Sequence, residues 1–324
     1  MELRKSILLG LAVAVLSATS VYSQESEVVR YPQHPITYIH PIPPGAGSDI
    51  LARLFFKAAE NYLGQPILVI NKAGGGLTIG AAAVANAKPD GYTIGFTAAT
   101  ALFIMPFTEK LPYDPLKDFT QIMQWGAPCF GVTVKADSPF NTFKDLIDYA
   151  RQNPKKLIYG TTGKIGLHYL IMEQIARKEK VQFTQIPFRG GGEVEIALLG
   201  GHINFGASEF NQVNIREGRT KLLLLFREEP AAEFPEAPIL RDLGYGDVAS
   251  PMIQSVCGPK GMPEGIVKKL EDAFTKSMKD EAFLKGMKEV GYSVRYRNSK
   301  ELNDYIARNY EIFGKLLKEL GVTK

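Results

Sequence analysis

The apolar and polar positions of this 324-residue chain alternate between two patterns. Short apolar runs, such as ITYIHPI from Ile36, predict buried strands, whereas apolar residues three and four apart, as between Ile50 and Tyr62, predict amphipathic helices. Gly64 and Pro66 end this first helix. The patterns predict further strands over 67–70, 92–97, around 122 and 132, and over 157–160, 183–188, 203–207, 222–226, 251–256 and 293–296, and helices over 79–87, 143–150, 167–178, 194–199 and most of the tail from 263.

This alternation of strands and helices is typical of α/β architecture. Residues 131–135 lead from the first half into the second, and residues 253–258 lead back. We therefore expect a discontinuous domain 1 (24–131 plus 256–324) around a domain 2 (132–255). Two short crossings form a hinge, and a hinge beside a polar cleft indicates closure around a ligand.

Two predicted strands lead into helices through glycine-rich turns, PIPPGAGSD (Pro41 to Asp49) and YGTTGKIGLH (Tyr159 to His168). Such a unit presents unpaired backbone N–H groups and the positive end of a helix dipole, which together form an anion site. A plain tight turn with a helix cap explains the glycines of the first turn as well. Two such turns, one in each half, predict an anionic ligand gripped from both sides.

Four side chains near these turns have competing interpretations. Lys164 is either a solvated cation or the counter-charge of a ligand carboxylate. Arg189 either binds a ligand carboxylate through two hydrogen bonds or pairs with Glu193 or Glu195. We interpret His168 as a structural hydrogen-bonding residue, and Asp49 as support for the first helical turn through its dipole.

Composition excludes several classes of function. The net charge of +4 comes without a dense Lys/Arg block, so no nucleic-acid partner is expected. With four histidines and no CxxC, HExxH, P-loop, complete GxGxxG or GxSxG motif, the sequence predicts no metal, cofactor or catalytic residue. Cys129 and Cys257 both lie in strand-like runs and could be bridged or reduced.

The N-terminus has the pattern of a secretory signal. Arg4 and Lys5 precede an apolar stretch from Ile7 to Leu16, and small and polar residues follow up to Ser23. The stretch is too short to span a bilayer, which takes about 20 residues. We expect residues 1–23 to be a signal peptide, and the mature protein to be periplasmic.

Six blocks of the sequence together resemble the periplasmic substrate-binding proteins of tripartite tricarboxylate transporters, the Bordetella uptake protein family. They are YPQHPITYIHPIPPGAGSDILAR, LGQPILVINKAGGGLTIGA, KPDGYTI, LPYDPLKDF, IPFRGGGEVEIALLGGHIN and GPKGMPEGIVKKL. The resemblance implies a two-domain, Venus-flytrap α/β fold, each domain a mostly parallel sheet flanked by helices, joined by two hinge crossings. It implies a small carboxylate held largely by main-chain N–H groups.

Carried over by position, the resemblance and the turns give one set of candidate ligand-binding residues. These are Pro44, Gly45, Ala46, Gly47, Ser48, Asp49, Thr78, Thr97, Thr100, Thr161, Thr162, Gly163, Lys164, His168, Arg189 and Ser208. The chain departs from the family pattern at His40, at Lys164 and at Ser208 with Glu209.

We therefore expect a monomeric binding protein that captures a mono- or dicarboxylate and delivers it to membrane transporter subunits without chemistry. Two alternatives stay open. The protein could report the same ligand to a receptor kinase, or it could be a periplasmic enzyme on the same scaffold, for which the sequence offers no acid–base set.

Overall fold

Eleven strands form two sheets in the computed structural model, which describes residues 30–227, 229–230 and 234–324. The predicted signal peptide lies outside the described residues. The strands are β1 (Ile36–His40), β2 (Ile67–Asn71), β3 (Thr93–Gly95), β4 (Phe119–Ala127), β5 (Phe130–Lys135), β6 (Ile158–Thr162), β7 (Thr184–Phe188), β8 (Phe205–Glu209), β9 (Thr220–Leu225), β10 (Gln254–Pro259) and β11 (Ser293–Asn298).

Helices cover these sheets and connect most of the strands. They are α1 (Gly47–Leu63), α2 (Thr78–Ala85), α3 (Ala99–Phe103), α4 (Met105–Thr108), α5 (Phe143–Gln152), α6 (Leu167–Glu179), α7 (Gly191–Leu199), α8 (Gln212–Arg216), α9 (Glu264–Ser277), α10 (Glu281–Val290) and α11 (Ser299–Glu319), with 3₁₀ turns at Gly75–Leu77 and Leu240–Leu243. None of the helices in the described part of the chain has the length and apolar character to cross a membrane.

Local sequence explains several helix ends. Gly64 ends α1 in the left-handed conformation, with φ 71°, and its N–H donates to the Glu60 carbonyl. Thr142 and Asp145 form a reciprocal capping box at the start of α5, as Asn298 and Glu301 do for α11.

Both sheets are mixed. The first has the order β11-β4-β10-β3-β1-β2 and the second β7-β6-β8-β5-β9. Parallel pairs join β1 to β2 and β3, and β6 to β7 and β8, while β4, β5, β10 and β11 pair antiparallel. The two-sheet α/β fold is confirmed, but the expectation of mostly parallel sheets needs correction. The chain leaves the first sheet after β4 and re-enters it along β10. These two strands lie side by side and run in opposite directions, so they pair antiparallel.

The chain passes between the sheets twice. Residues 128–129 lead from β4 into β5, and the chain returns from β9, which ends at Leu225, to β10, which begins at Gln254. Residues 131–135 accordingly lie inside the second sheet, and most of 253–258 lies inside the first.

Buried aromatic rings hold α1 against the first sheet and the tail helices. Phe55 on α1 stacks on Trp125 of β4 with ring centroids 4.8 Å apart, and it also contacts Phe274 of α9 and Phe283 of α10. All four side chains are fully buried. Large aromatic side chains contribute most to core packing, so these contacts fix the position of α1 relative to the first sheet.

Candidate ligand-binding site

A cavity of about 530 Å³ lies between the two sheets, at the ends of the strands that lead into α1, α6 and α7. The volume suits a small organic ligand. The first sheet and its connections supply Ile42, Pro43, Ala46, Gly47, Leu77, Phe96, Ala98, Ala99, Thr100, Gln254 and Tyr292; the second supplies Phe130, Thr162, Gly166, Leu167, His168, Arg189, Gly190, Gly191, Gly192 and Glu209; the crossings supply Pro128, Pro251 and Ile253.

Three helices begin at this cavity. The first residues of α1, α6 and α7 are Gly47, Leu167 and Gly191, and all three line it. None of these helices has a side-chain hydrogen bond at its N-cap, in contrast to α5 and α11. Their first N–H groups and positive dipole ends are therefore available to an anion.

The loop before α1 is held by Asp49, which lies outside the cavity lining. Its carboxylate accepts hydrogen bonds from the Gly45 N–H at 2.9 Å, from Asn71 Nδ2 at 2.8 Å and from Arg53 Nε and Nη2, each at 3.1 Å. Burial acts to raise the pKa of Asp49, but the hydrogen bonds from Arg53, Gly45 and Asn71 outweigh it and lower the pKa. Gly45 has φ 82°, a conformation that suits glycine.

His40 lies behind the same loop. Its Nε2 is 3.2 Å from the Ser48 hydroxyl, and both side chains are buried. Burial lowers the pKa of His40 to about 4, against the nearby Asp49 charge, which raises it. At neutral pH this imidazole is uncharged, so His40 shapes the loop without adding charge to it.

The loop before α6 is braced from the neighbouring strand. Gln185 Nε2 donates to the Thr161 hydroxyl at 2.7 Å and to the carbonyls of Gly163 and Lys164 at 3.2 and 3.1 Å. The Thr161 hydroxyl in turn donates to the Gly163 carbonyl. Thr162 lines the cavity, whereas the Lys164 side chain is exposed and lies outside its lining.

His168 differs from the structural role expected of it. It is only 8% exposed, and neither ring nitrogen has a hydrogen-bond partner in the described part of the chain. Its ring meets the edge of Phe130 with centroids 4.4 Å apart. Burial lowers its pKa to about 4, so the ring is neutral at pH 7 and offers one donor and one acceptor. His168 lines the cavity, and both of its ring nitrogens are buried there.

Two side chains that line the cavity carry formal charge, Arg189 and Glu209. The backbone N–H of Arg189 donates to Glu193 Oε2 at 3.0 Å, and Glu195 accepts from Asn214 instead. Among the described residues, the ion pairs include neither Arg189 nor Glu209. The Arg189 guanidinium is exposed at the cavity and open to a carboxylate.

The structure brings six of the sequence-predicted residues to the cavity: Ala46, Gly47, Thr100, Thr162, His168 and Arg189. The rest lie outside its lining: Pro44, Gly45, Ser48, Asp49, Thr78, Thr97, Thr161, Gly163, Lys164 and Ser208. Several of these stabilise the surrounding loops. The Thr78 hydroxyl donates to the Gly75 carbonyl at 2.6 Å, and that of Ser208 donates to the Glu209 carbonyl at 2.9 Å.

Sequence reasoning missed the start of α7, and Glu209 and Tyr292 as cavity residues. A signal existed for α7, because the triple glycine 190–192 follows a strand just as the first turn does. For Glu209 the signal was the departure from the family pattern. Tyr292 follows a left-handed glycine after α10, and no motif marks it.

The two cysteines lie outside the cavity lining, and potential metal ligands do not cluster in the described part of the chain. Cys129 and Cys257 are both buried thiols in separate apolar clusters, and the Cys257 sulfur lies 3.8 Å from the Thr97 hydroxyl. Within residues 30–227, 229–230 and 234–324, no three His, Cys, Asp or Glu side chains form a group that could hold a metal ion.

A family model described as the tripartite tricarboxylate transporter family receptor matches residues 51–322. The chain belongs to this family. It is 34% identical to the UPF0065 protein in the gbd 5' region of Cupriavidus necator, over 97% of this chain and 95% of the relative. It is also similar to a solved TctC solute-binding protein from Polaromonas (27% identity, TM-score 0.78, 89% and 99% of the two chains) and to a solved periplasmic transporter (28%, 0.79, 90% and 99%).

Proposed function

We propose that this protein captures a small organic carboxylate in the cavity between its sheets and delivers it to a membrane transporter of the tripartite tricarboxylate type. The observation that carries the proposal is the convergence of the uncapped starts of α1, α6 and α7 on one cavity. A carboxylate that accepts several preplaced N–H groups loses little on leaving water.

Within this proposal the predicted residues fall into two groups. Those lining the cavity (Ala46, Gly47, Thr100, Thr162, His168, Arg189) contact the ligand, and the Arg189 guanidinium supplies the counter-charge. The others hold the loops in place, as Asp49 does through its four hydrogen bonds. Lys164 adds positive potential near the mouth of the cavity.

We propose that the two sheets belong to domains 24–131 plus 256–324 and 132–255, which close on the ligand about the crossings. Pro128, Pro251 and Ile253 support a hinge, because these crossing residues themselves line the cavity. Closure would exclude water and bring the start of α1 onto a ligand held by α6 and α7. The closed shape would then be what the membrane subunits recognise.

The protein so proposed is a periplasmic monomer, exported by residues 1–23, and not an enzyme. The cavity offers one neutral imidazole, one carboxyl group and the Tyr292 hydroxyl as acid–base candidates, and among the described residues no Ser, Cys or Lys side chain lines it as a nucleophile. Incubation with a bound acid should leave that acid chemically unchanged, as measured by mass spectrometry. Light scattering of the mature chain should give the mass of one copy.

Thermal unfolding tests carboxylate capture directly. Mono-, di- and tricarboxylates are compared with their neutral amides at equal concentration. A true ligand at 100 times its Kd adds about 2.7 kcal/mol to the free energy of unfolding, and its amide should add almost nothing. If no acid stabilises the protein more than its amide does, the proposal is wrong.

Deletion of the gene separates transport from sensing. Loss of acid uptake in the deletion strain would support transport. Intact uptake with a lost cellular response to the acid would indicate sensing.

A further inference from the structure

Glu209 is an acidic side chain in a cavity otherwise built for an anion. It ends β8 and lines the cavity together with the starts of α1, α6 and α7. Its Oε1 lies 3.6 Å from the position that a Cβ atom on Gly47 would occupy, so the carboxyl group sits over the first turn of α1.

The hydrogen bonds of Glu209 leave most of its capacity unused. Tyr292 donates its hydroxyl to Oε1 at 3.4 Å, and in the described part of the chain no cation pairs with the carboxylate. Burial raises the pKa of Glu209, while the Tyr292 bond opposes this. A desolvated carboxylate without a cationic partner is costly, and for Glu209 only the Tyr292 hydroxyl and the positive end of α1 offset this cost.

A second polar group in the same lining is also unsatisfied. His168 is only 8% exposed, and both of its ring nitrogens lack partners among the described residues. Buried polar groups are almost always hydrogen-bonded in folded proteins. Gln254 lines the cavity as well, and its Nε2 has no hydrogen-bond partner among the described residues. Of these polar side chains, Glu209 is the one that can carry a negative charge.

We infer that the ligand carries an ammonium group in addition to its carboxylate, and that Glu209 binds the ammonium. This inference rests on the proposed function, because the helix starts and Arg189 must hold the carboxylate. Arg189 and Glu209 give the lining balanced formal charge, which matches a zwitterion. An ammonium ion compensates the buried charge, which a hydroxyl group cannot do. The carboxylate of Glu209 would repel a second ligand carboxylate placed near it.

The test uses acids that share one carbon skeleton. Succinate, malate and aspartate differ only in bearing hydrogen, hydroxyl or ammonium at one carbon; glutarate, 2-hydroxyglutarate and glutamate, and propionate, lactate and alanine, repeat the comparison at other lengths. Calorimetry on the unmodified mature chain should show the ammonium member binding about 10–100-fold tighter than the unsubstituted one in at least one series.

Glu209→Gln should remove that advantage and leave the unsubstituted acids unchanged or tighter, because a repulsive charge is gone. Glu217→Gln is the matched control: Glu217 is exposed on the second half and pairs with Arg219. This variant removes one negative charge without touching the cavity, and it should keep the preference.

Several results would overturn the inference. The first needs no variant: if unsubstituted or hydroxylated acids bind the unmodified protein as tightly as the ammonium acids do, the inference is wrong. If the preference for ammonium acids survives Glu209→Gln, a group other than Glu209 binds the ammonium. Either outcome leaves carboxylate capture intact, whereas the proposed function itself fails if no acid in any series binds better than its amide.

Discussion

Capping α7 with a side chain should strengthen the fold and weaken ligand binding. Gly190, the N-cap residue, has φ −164° and ψ 168°, an extended conformation open to any residue. A Cβ atom built on it meets nothing within 4 Å. In Gly190→Asn, the amide oxygen can accept a hydrogen bond from the N–H group of Gly192, which satisfies one of the free donors at the start of α7; the Glu193 N–H already donates to the Gly190 carbonyl at 3.2 Å.

The two effects have opposite signs and can be sized. Asparagine exceeds glycine as an N-cap by a few tenths of a kcal/mol, and loss of glycine's freedom in the unfolded chain adds about 0.4–1 kcal/mol. The free energy of unfolding without ligand should therefore rise by about 1 kcal/mol. A carboxylate that loses one of its N–H donors should bind about 10–100-fold more weakly, because a hydrogen bond to a charged group contributes roughly 1.5–3 kcal/mol.

Urea denaturation measures the stability, and calorimetry with the best acid from the screen measures the affinity. Gly190→Ala is the matched control, since alanine restricts the unfolded chain in the same way but cannot accept a hydrogen bond. Its stability should change little, because alanine is a poorer N-cap than glycine by about as much as it gains in the unfolded chain, and it should keep most of the affinity. Equal affinities for the Asn and Ala variants would refute the argument that the start of α7 contacts the ligand.

Three further predictions follow from the site. Arg189→Ala should weaken carboxylate binding at least 10-fold in calorimetry, whereas Lys164→Ala, which removes an exposed cation outside the lining, should change it less than 3-fold; the reverse order would place Lys164 in the site. Burial lowers the pKa values of His40 and His168 from 6.5 to about 4, so the unfolded chain binds more protons in this window and the free energy of unfolding falls as pH falls through it. Between pH 7.5 and 4.5 each histidine should cost about 2.5 kcal/mol in urea titrations. His168→Leu should remove its own share and exposed His202→Gln should not. Because burial raises the pKa values of Glu173, Glu195 and Glu209 and so acts in the opposite direction, the test is the difference between profiles: equal slopes for the wild type and His168→Leu would contradict the assignment. Saturating ligand should reduce the radius of gyration in solution scattering, and an unchanged value would argue against closure.

Local signals in the sequence predicted much of this fold. The apolar periodicity placed α1 and α6, Gly64 marked the end of α1, and Thr142 marked the start of α5. These features depend on residues within one or two turns of each other, which is the range over which sequence patterns are informative. The two glycine-rich turns were found for the same reason, and both precede helices whose first residues line the cavity.

Features that depend on distant residues were missed. The antiparallel neighbours of β4 are β10 and β11, more than 120 residues further along the chain, and no local pattern chooses them. Glu209 looks like an ordinary strand end until β8 is placed beside the start of α1. The helix α7 was predicted to begin at Val194, because glycine is a poor helix former.

The distribution of the helix starts between the sheets has a consequence for the order of events during binding. The side of the second sheet presents α6, α7, Arg189 and Glu209 to the cavity, whereas the first presents α1. An open protein can therefore satisfy most of a ligand's polar groups on the second side alone. Closure then adds contacts to the N–H groups of α1. A ligand shifts the population towards the closed form only by the difference between its affinities for the closed and open forms, so the energy of the α1 contacts sets the size of the shift. We accordingly expect changes on the second side to act mainly on the affinity of the open form, and changes at Gly47 to act mainly on closure.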